Sequence, residues 1–221
     1  MIELSHKPLI RAFNMDCMTF MAGVGDKAYS LACCDPPYGI NGSCPTGTYA
    51  REWIGYTKDN DKNWDKEIPK PDYFRELFRT TENQIIWGAN YMVQHLPPSS
   101  GWICWYKTDE LKGRDFGEFE LAFSSFNVRP RHFEERPFIR HGTRIHPTQK
   151  PVALYRWILT NYAKPGQRIL DTHGGSFSFA IACWHEGYDM DIVELDTEYF
   201  QMACERFERE TRQQKLFGAR A

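Results

Sequence analysis

The sequence predicts an α/β protein whose sheet is mostly parallel and covered by helices on both faces. Two observations indicate this class. From residue 151 onward, helix-like and strand-like segments alternate: PVALYRWILTNYA, RILD, GGSFSFAIACWHEG, YDMDIVELD and TEYFQMACERFERE. Upstream, SLACCD at residues 30–35 is a short, continuous apolar run. Strands with this pattern are buried on both faces, as in parallel sheets, and alternation with helices favours the same architecture.

The first half of the chain supplies the other elements. KPLIRAFN predicts a first strand and MDCMTFMAGV a short amphipathic helix. PDYFRELFRTT predicts a helix with proline in its first turn. NQIIWG and GWICWYK are strand candidates on either side of a short helix, ANYMVQHL, and FELAFSSF is a further strand. Residues 39–70 lack a clear period, which is typical of a functional loop, and we expect a lid there within one domain of residues 1–221.

Composition excludes several classes of protein. The formal net charge is −2, so a role on nucleic acid requires a local basic patch. The seven cysteines include no C-x-x-C pair, which argues against a zinc ribbon and against a disulfide framework. No stretch approaches the roughly 20 apolar residues of a membrane span, and the N-terminus lacks a secretion signal. We expect a soluble cytoplasmic protein without a metal and without a membrane partner.

The segment CCDPPYGI at residues 33–40 ends the SLACCD strand abruptly. Pro36 and Pro37 lack a backbone N–H and fix φ, so they stop both helix and sheet pairing. The result is a stiff corner at the carboxyl end of a strand, the proline corner (residues 35–38), which carries the Asp35 carboxylate and the Tyr38 ring. In an open α/β sheet, ligands bind at this edge. Taken alone, the corner is equally compatible with a simple strand-terminating turn.

A second candidate site lies in the unit from Arg168 to Glu194, which predicts strand, glycine turn, helix and strand. Glycines let a ligand approach the backbone, and an acid about 20 residues further on takes ribose hydroxyls. Gly174, Gly175 and Glu194 have this spacing, and Asp171 ends the first strand. The turn DTHGGSFS is not G-x-G-x-x-G, so a dinucleotide site is poorly supported. His173 is interpreted as a packed or solvated histidine, not a metal ligand.

Residues 127–150 form the basic part of the chain, with six basic side chains against two acidic ones. Such a cluster is either a solvated face or a set of phosphate contacts. The candidates for contact with DNA are Arg129, Arg131, Arg136, Arg140 and Arg144.

Together these motifs resemble the β-group amino methyltransferases of DNA, which use S-adenosylmethionine and carry the catalytic motif ahead of the cofactor motif. DPPYGI resembles the catalytic motif, HPTQKPVALYRWIL the segment after target recognition, and ILDTHGGSFSFAIAC the cofactor loop. The likeness covers nearly the whole chain in the family's order. It implies a Rossmann-like fold with a seven-stranded, mostly parallel sheet and one reversed strand. It also implies a small target-recognition insertion at about 107–145.

The resemblance implies a role for each matching residue. Asp35, helped by the Pro36 carbonyl, would accept a hydrogen bond from an exocyclic amine, and Tyr38 would stack on a base flipped out of the duplex. Pro36 and Pro37 complete the catalytic motif. Residues implied at the S-adenosylmethionine site are Asp16, Cys17, Asp35, His146, Thr148, Lys150, Asp171, Gly174, Gly175, Ser176 and Glu194. Asp16 is also compatible with a simple helix N-cap, and His146 with a hydrogen bond within its own turn.

The cofactor loop departs from the family pattern. Thr172-His173 stand where the family carries Pro-Phe, and Phe177 replaces a glycine. A phenylalanine at positive φ would be strained, so we expect the turn to differ slightly in conformation.

The sequence therefore predicts an S-adenosylmethionine-dependent adenine-N6 methyltransferase acting on double-stranded DNA, as a monomer or a homodimer, in a bacterial or phage-infected cell. Aspartate at the head of the motif favours adenine, because relatives that act on cytosine N4 more often carry serine. Cytosine N4, adenine in RNA and a catalytically inactive DNA-binding relative are the alternatives. Both an orphan enzyme and one paired with a restriction enzyme fit the sequence.

Overall fold

The computed structural model of the protein describes residues 1–40, 65–107, 118–135, 145–146 and 148–215. Within them lie nine strands: β1 (Ile2–His6), β2 (Leu9–Asn14), β3 (Tyr29–Cys34), β4 (Thr81–Trp87), β5 (Ile103–Tyr106), β6 (Phe119–Ser124), β7 (Arg131–Glu134), β8 (Arg168–Asp171) and β9 (Asp189–Glu194). The same residues contain five α-helices: α1 (Cys17–Ala22), α2 (Pro71–Thr80), α3 (Val152–Tyr162), α4 (Ser178–Glu186) and α5 (Thr197–Lys215).

All nine strands belong to one sheet, in the order β1-β2-β9-β8-β3-β4-β6-β5-β7. From β2 to β4 every neighbouring pair is parallel, whereas β6 runs antiparallel to both β4 and β5. The predicted Rossmann-like α/β fold with a reversed strand is confirmed. The predicted count of seven strands is wrong, because one further strand lies at each edge of the sheet.

The two additional strands lack the sequence signal of the inner ones. β1 pairs antiparallel with β2, and β7 pairs parallel with β5. The side chains of β7, in the sequence RHFE, are exposed except for a partly buried Phe133. An edge strand packs against fewer neighbours, so it needs no continuous apolar run, and hydrophobic pattern alone does not reveal it.

The predicted short helix ANYMVQHL is also different in the structure. It forms two single turns of 3-10 helix, Ala89–Tyr91 and Val93–His95, with Met92 at φ −135° between them. Asn, Tyr, Val and His are all modest helix formers, and the Pro-Pro pair that follows prevents extension of the helix. An eight-residue helix is therefore not stable here.

Helices bury apolar side chains on both faces of the sheet. Successive residues of β3 point to opposite faces, as the pleat requires. Leu31 and Cys33 belong to the cluster that contains Ile158 of α3, whereas Ala32 and Cys34 belong to the cluster that contains Leu77 of α2. Because β3 is covered on both sides, its sequence is a continuous apolar run. Within the described residues, no helix combines the length and apolar character that a membrane-spanning helix needs.

The topology brings the predicted site residues to one edge of the sheet. β2, β9, β8 and β3 are parallel neighbours, so their carboxyl ends meet there. Asp35 follows β3, Asp171 ends β8, and Glu194 ends β9. Asp16 follows β2 by two residues.

Candidate active site

The proline corner begins directly after β3 and carries a carboxylate whose two oxygens are both occupied. The hydroxyl of Tyr38 donates to Oδ1 of Asp35 at 2.5 Å. The ammonium of Lys150 donates to Oδ2 of the same carboxylate at 2.5 Å. Charge-assisted hydrogen bonds of this length are strong, so the Asp35 side chain has a fixed orientation.

Two segments, one with Asp65 and one with Gly88 and Tyr91, hold Tyr38 in place. Its backbone N–H and that of Gly39 both donate to Oδ1 of Asp65, at 2.6 and 3.0 Å. Its ring stacks on that of Tyr91, with centroids 5.5 Å apart and planes 18° from parallel. The backbone of Gly88, at φ +66°, lies so close that a Cβ there would be 2.1 Å from the Tyr38 ring. The glycine is therefore required both by its conformation and by the space that Tyr38 occupies.

Lys150 connects Asp35 to a second carboxylate. Its ammonium lies 3.1 Å from Oε2 of Glu120, and Glu120 also pairs with Lys107 at 2.6 Å. The Lys150 side chain is 2% exposed. The result is a buried row of alternating charges, Lys107–Glu120–Lys150–Asp35. The resemblance implied that Lys150 lies at the cofactor site. In the structure its ammonium pairs with Asp35, and the residue also lines the cavity described next.

Burial and pairing have opposite effects on the pKa values in this row. Burial alone would lower the pKa of Lys150, but the carboxylates of Asp35 and Glu120 raise it above its usual value. Burial likewise disfavours the Glu120 carboxylate, yet Lys150 and Lys107 bring its pKa down to about 2. Burial raises the pKa of Asp35, and the Lys150 charge offsets part of that effect. Lys150 is therefore a permanent cation at neutral pH.

A cavity of about 560 Å³ opens beside Asp35 at the carboxyl edge of the sheet. Most of the residues predicted for the cofactor line it: Asp16, Cys17, Asp35, His146, Thr148, Lys150, Gly174, Gly175, Ser176 and Glu194. Pro37 of the proline corner lines it as well, whereas Asp171, Pro36 and Tyr38 do not. The volume lies in the usual range for a site that takes a small organic ligand.

Glu194 and the glycine turn form one wall of the cavity. Oε2 of Glu194 accepts the Gly175 N–H at 2.7 Å, and Oε1 accepts the Asp196 N–H at 2.8 Å. A Cβ on Gly174 would lie 2.7 Å from the ring of Phe177 and 2.9 Å from Ile192. Only glycine therefore fits at Gly174, and the turn can approach a ligand through its backbone.

Phe177 adopts the conformation that the sequence argued against. It has φ 57° and ψ 25°, in the left-handed region, and caps the start of α4 without a side-chain hydrogen bond. The expectation of an altered turn is therefore wrong. The ring of Phe177 is fully buried and packs edge-on against that of Phe200, with centroids 5.8 Å apart. A left-handed conformation costs roughly 1–2 kcal/mol in a residue other than glycine. Packing of the ring offsets this cost.

Two cavity residues, Asp16 and His146, keep local hydrogen bonds of their own. Oδ1 of Asp16 accepts the Thr19 N–H at 2.8 Å, so Asp16 is the N-cap of α1 as well as part of the cavity wall. The ring nitrogen Nδ1 of His146 lies 3.1 Å from the Thr148 hydroxyl, and the His146 ring packs edge-on against that of Tyr199. The structural interpretations of Asp16 and His146 are thus compatible with their position at the cavity.

Two groups that directly precede the glycine turn in sequence have pKa values shifted toward their uncharged forms. Burial raises the pKa of Asp171 to about 8, although the His173 N–H that its Oδ1 accepts at 2.9 Å acts in the opposite direction. Burial lowers the pKa of His173 to about 4. Within the part of the chain that the structure describes, no three His, Cys, Asp or Glu side chains are grouped to hold a metal ion.

Comparison with known proteins places the chain in a family. The model of the N6/N4 DNA methylases, described as "DNA methylase", matches residues 46–205. The chain belongs to this DNA methylase family. The match begins after the proline corner and covers the glycine turn and Glu194 of the methylase.

Two curated relatives match short stretches of the methylase. A 63-residue stretch is 35% identical to the DNA adenine methyltransferase YhdJ of Escherichia coli strain K12, covering 28% of this chain and 21% of the relative. A 78-residue stretch is 35% identical to the type II methyltransferase M.HpaI of Haemophilus parainfluenzae, covering 35% of this chain and 25% of the relative. The matches span a quarter or less of each relative's length.

Solved structures resemble the methylase over most of its length. The M1.HpyAVI–SAM complex has a TM-score of 0.60 at 18% identity and covers 89% of this chain and 98% of its own. The cytosine-N4-specific PvuII DNA methyltransferase has a TM-score of 0.62 at 11% identity and covers 93% of each chain. At these identities the likeness confirms the fold.

The structure describes two of the five arginines predicted to contact DNA, Arg129 and Arg131. Arg131 begins β7, and its guanidinium donates to Oδ1 of Asn161 and lies 5.9 Å from the centroid of the Tyr162 ring. Because β7 is parallel to β5, and β5 and β4 are both antiparallel to β6, the start of β7 lies at the edge opposite Asp35. Arg129 is exposed in the segment just before β7. Arg136, Arg140 and Arg144 lie outside the described residues, as do 41–64 of the lid and 108–117 and 136–144 of the insertion.

Several residues of the methylase site were not predicted. Glu120 and Lys107 complete the charge row, Asp65 and Gly88 position Tyr38, and Tyr199 lines the cavity. The sequence holds a weak signal for Glu120, the acid within the apolar strand segment FELAFSSF. A charge in an otherwise buried strand usually has a partner, but the sequence does not identify it.

Proposed function

We propose that this DNA methylase transfers the methyl group of S-adenosyl-L-methionine to the exocyclic N6 of an adenine flipped out of double-stranded DNA. The observation that best supports this proposal is the position of Asp35: its carboxylate has fixed hydrogen-bond partners in the proline corner and lines a ligand-sized cavity. The thiol of Cys17, which lines the cavity, is poorly suited to nucleophilic catalysis, because burial and Asp16 raise its pKa to about 12.

S-adenosyl-L-methionine fits the residues of the cavity. M1.HpyAVI, a solved structure of the same fold, is a complex with this compound. Glu194, at the end of β9, would hold the ribose hydroxyls through the free lone pairs of its carboxylate. Asp16 and Cys17 would face the adenine edge, with Gly174, Gly175 and Ser176 along the methionine part. When bound, the cofactor supplies a methyl carbon that its sulfonium makes electrophilic.

The chain's own contribution is to activate and align the amine. The lone pair of an adenine N6 is delocalised into the ring, so the nitrogen is a poor nucleophile. Acceptors on its N–H groups, here the Asp35 carboxylate and the Pro36 carbonyl, draw the nitrogen toward tetrahedral geometry. Fixed orientation of the acceptor contributes by keeping nitrogen and methyl carbon in line.

The base would meet an Asp35 carboxylate whose two oxygens each already accept one hydrogen bond. Lys150 is buried and held by Glu120 as well, so its bond to Oδ2 persists. The Tyr38 hydroxyl, in a half-buried side chain, is the partner that the amine would replace at Oδ1. The Tyr38 ring would then provide the stacking surface for the flipped base, worth about 1–3 kcal/mol.

Adenine is favoured over cytosine on two grounds. The motif begins with aspartate, and the relative from Escherichia coli that shares 35% identity over 63 residues is named a DNA adenine methyltransferase. Cytosine N4 is the second candidate, since the cytosine-N4-specific PvuII enzyme has the same fold. Three further points stay predictions: that double-stranded DNA is the partner, that the five arginines contact it, and that the protein forms a homodimer.

The test is long-read modification sequencing of DNA from cells that express the full chain. Asp35→Ala is the inactive comparison, and Asp72→Ala, an exposed aspartate of α2, is the matched control. We expect N6-methyladenine at one short sequence with the wild type and with Asp72→Ala, and none with Asp35→Ala. N4-methylcytosine instead would establish the alternative. Unmodified DNA with soluble wild-type protein would refute the proposal.

A further inference from the structure

The glycine turn contains a residue under conformational strain. Gly175 and Phe177 both have positive φ, at 50° and 57°, and Phe177 alone of the two is not a glycine. The Phe177 N–H donates to the Gly174 carbonyl at 2.9 Å, and its carbonyl accepts the Ile181 N–H at 3.0 Å. Backbone bonds and ring packing hold this residue, but a strained conformation persists only when its surroundings over-determine it.

Arg206 of α5 supplies a further restraint from behind the turn. The residue is 2% exposed, although it carries a full charge. Its Nη1 donates to the carbonyl of Ser176 and to the hydroxyl of Ser178, both at 2.8 Å. Its Nε donates to Oε1 of Glu210 at 2.7 Å. One guanidinium nitrogen therefore bridges the two residues on either side of Phe177.

The bridged residues form part of the cavity wall, whereas Arg206 does not reach the cavity. Ser176 and Ser178 line it together with Gly174 and Gly175. The two serine hydroxyls also lie 3.1 Å from each other. A shift of the Ser176 carbonyl would move the Gly175 N–H, which now donates to Glu194 at 2.7 Å. The position of that glycine wall thus depends on a buried arginine outside it.

We propose that Arg206 is a positioning residue for the cofactor: its guanidinium clamps the backbone on both sides of Phe177 and so keeps the glycine turn in its ligand-ready form. This inference rests on the proposed function, in which S-adenosyl-L-methionine is the methyl donor. The role differs from that of Glu194, because Arg206 acts only through the turn.

The test measures S-adenosyl-L-methionine binding by isothermal titration calorimetry on the full chain. Arg206→Met should raise the Kd about tenfold, the scale of a lost charge-assisted hydrogen bond. Its KM for the cofactor should rise in parallel, while kcat at saturating cofactor stays within about twofold of wild type. Hydrogen exchange should become faster at the amides of residues 175–177. The matched control is Arg212→Met, an arginine of the same helix whose side chain is 75% exposed and pairs with Glu208.

A second variant, Ser178→Ala, keeps the inference testable if Arg206→Met does not fold. Ser178→Ala removes one of the two clamped acceptors and should raise the Kd about threefold. In the Arg206→Met background it should add less than it does alone, because both changes break the same contact. Kd values within twofold of wild type in the folded variants would overturn the inference and leave the proposed function intact. No binding of the cofactor by the wild type would overturn both.

Discussion

The ammonium of Lys150 lies 2.5 Å from Oδ2 of Asp35 and 3.1 Å from Oε2 of Glu120, so one buried cation serves two carboxylates. Neither partner is near it in sequence: Asp35 is 115 residues away. Removal of the cation would leave two like charges in a site that water reaches poorly. This relationship makes Lys150 the residue on which the charge balance of the site depends.

Lys150→Met should therefore lower the free energy of unfolding by about 3–5 kcal/mol, the usual cost of leaving a buried charge without its partner. The loss should be larger at pH 8.5 than at pH 5.5, because protonation of the carboxylates relieves their repulsion at low pH. Urea denaturation at the two pH values measures it. Lys164→Met, at an exposed lysine, is the control. Equal losses at both pH values would contradict this account of the row.

Gly88→Ala should displace the Tyr38 ring, since a Cβ would lie 2.1 Å from it and the residue has φ +66°. Displacement by about 1 Å is enough to slow a well-aligned reaction roughly 100-fold. The stability loss should be only about 1–3 kcal/mol. Single-turnover methylation at saturating DNA measures the effect. The control is Gly25→Ala, where no atom lies within 4 Å of the new Cβ, and it should behave as wild type. Full activity of Gly88→Ala would show that the reaction does not need Tyr38 in a fixed position.

Glu194→Gln should weaken binding of S-adenosyl-L-methionine about 10- to 100-fold. The carboxylate accepts the backbone N–H groups of Gly175 and Asp196, and an amide can accept only one of them while opposing the other with its own NH₂. Calorimetric titration of the folded variant gives the Kd. Glu205→Gln, an exposed glutamate of α5, provides the comparison. A change below twofold would remove Glu194 from the cofactor site.

Asp171 should make stability depend on pH. Burial raises its pKa to about 8 in the folded protein, whereas the ordinary value is 3.8. Between about pH 4 and pH 8 the folded state therefore holds a proton that the unfolded state has lost, and the free energy of unfolding falls as pH rises. Asp171→Asn should flatten the profile in that window. Urea denaturation at pH 5 and pH 8 measures the free energy of unfolding, with Asp72→Asn as the control. If this free energy depends on pH in the same way in the wild type and in Asp171→Asn, Asp171 is already ionised in the folded protein.

Hydrophobic pattern predicted the seven inner strands because each is long enough or apolar enough to be recognised from local sequence. The edge strands β1 and β7 were missed for a physical reason: exposure removes the selection for apolar side chains that makes a strand visible. At Phe177 the prediction from local sequence failed for a different reason. A general rule against positive φ predicts a different turn, but tertiary packing of one ring outweighs it.

At the site, residues that follow parallel strands could be predicted, since topology alone brings Asp35 and Glu194 to one edge. Residues whose role depends on contacts between distant segments could not. Glu120 resembles any charged residue on a partly exposed strand until Lys150 is placed against it. Arg206 resembles a surface arginine of an amphipathic helix until its burial is known. Sequence proximity to other basic residues likewise does not reveal that Arg131 lies at the edge of the sheet opposite Asp35.

The bond network of Asp65 has a consequence for how this protein could change over evolutionary time. Its carboxylate accepts the N–H groups of Tyr38 and Gly39, so the chain that leaves the proline corner returns to it and is fastened there. Asp65 thus constrains the proline corner from outside the motif. A substitution at residue 65 would therefore alter the position of Tyr38 and Gly39 while every residue of the corner itself stays the same.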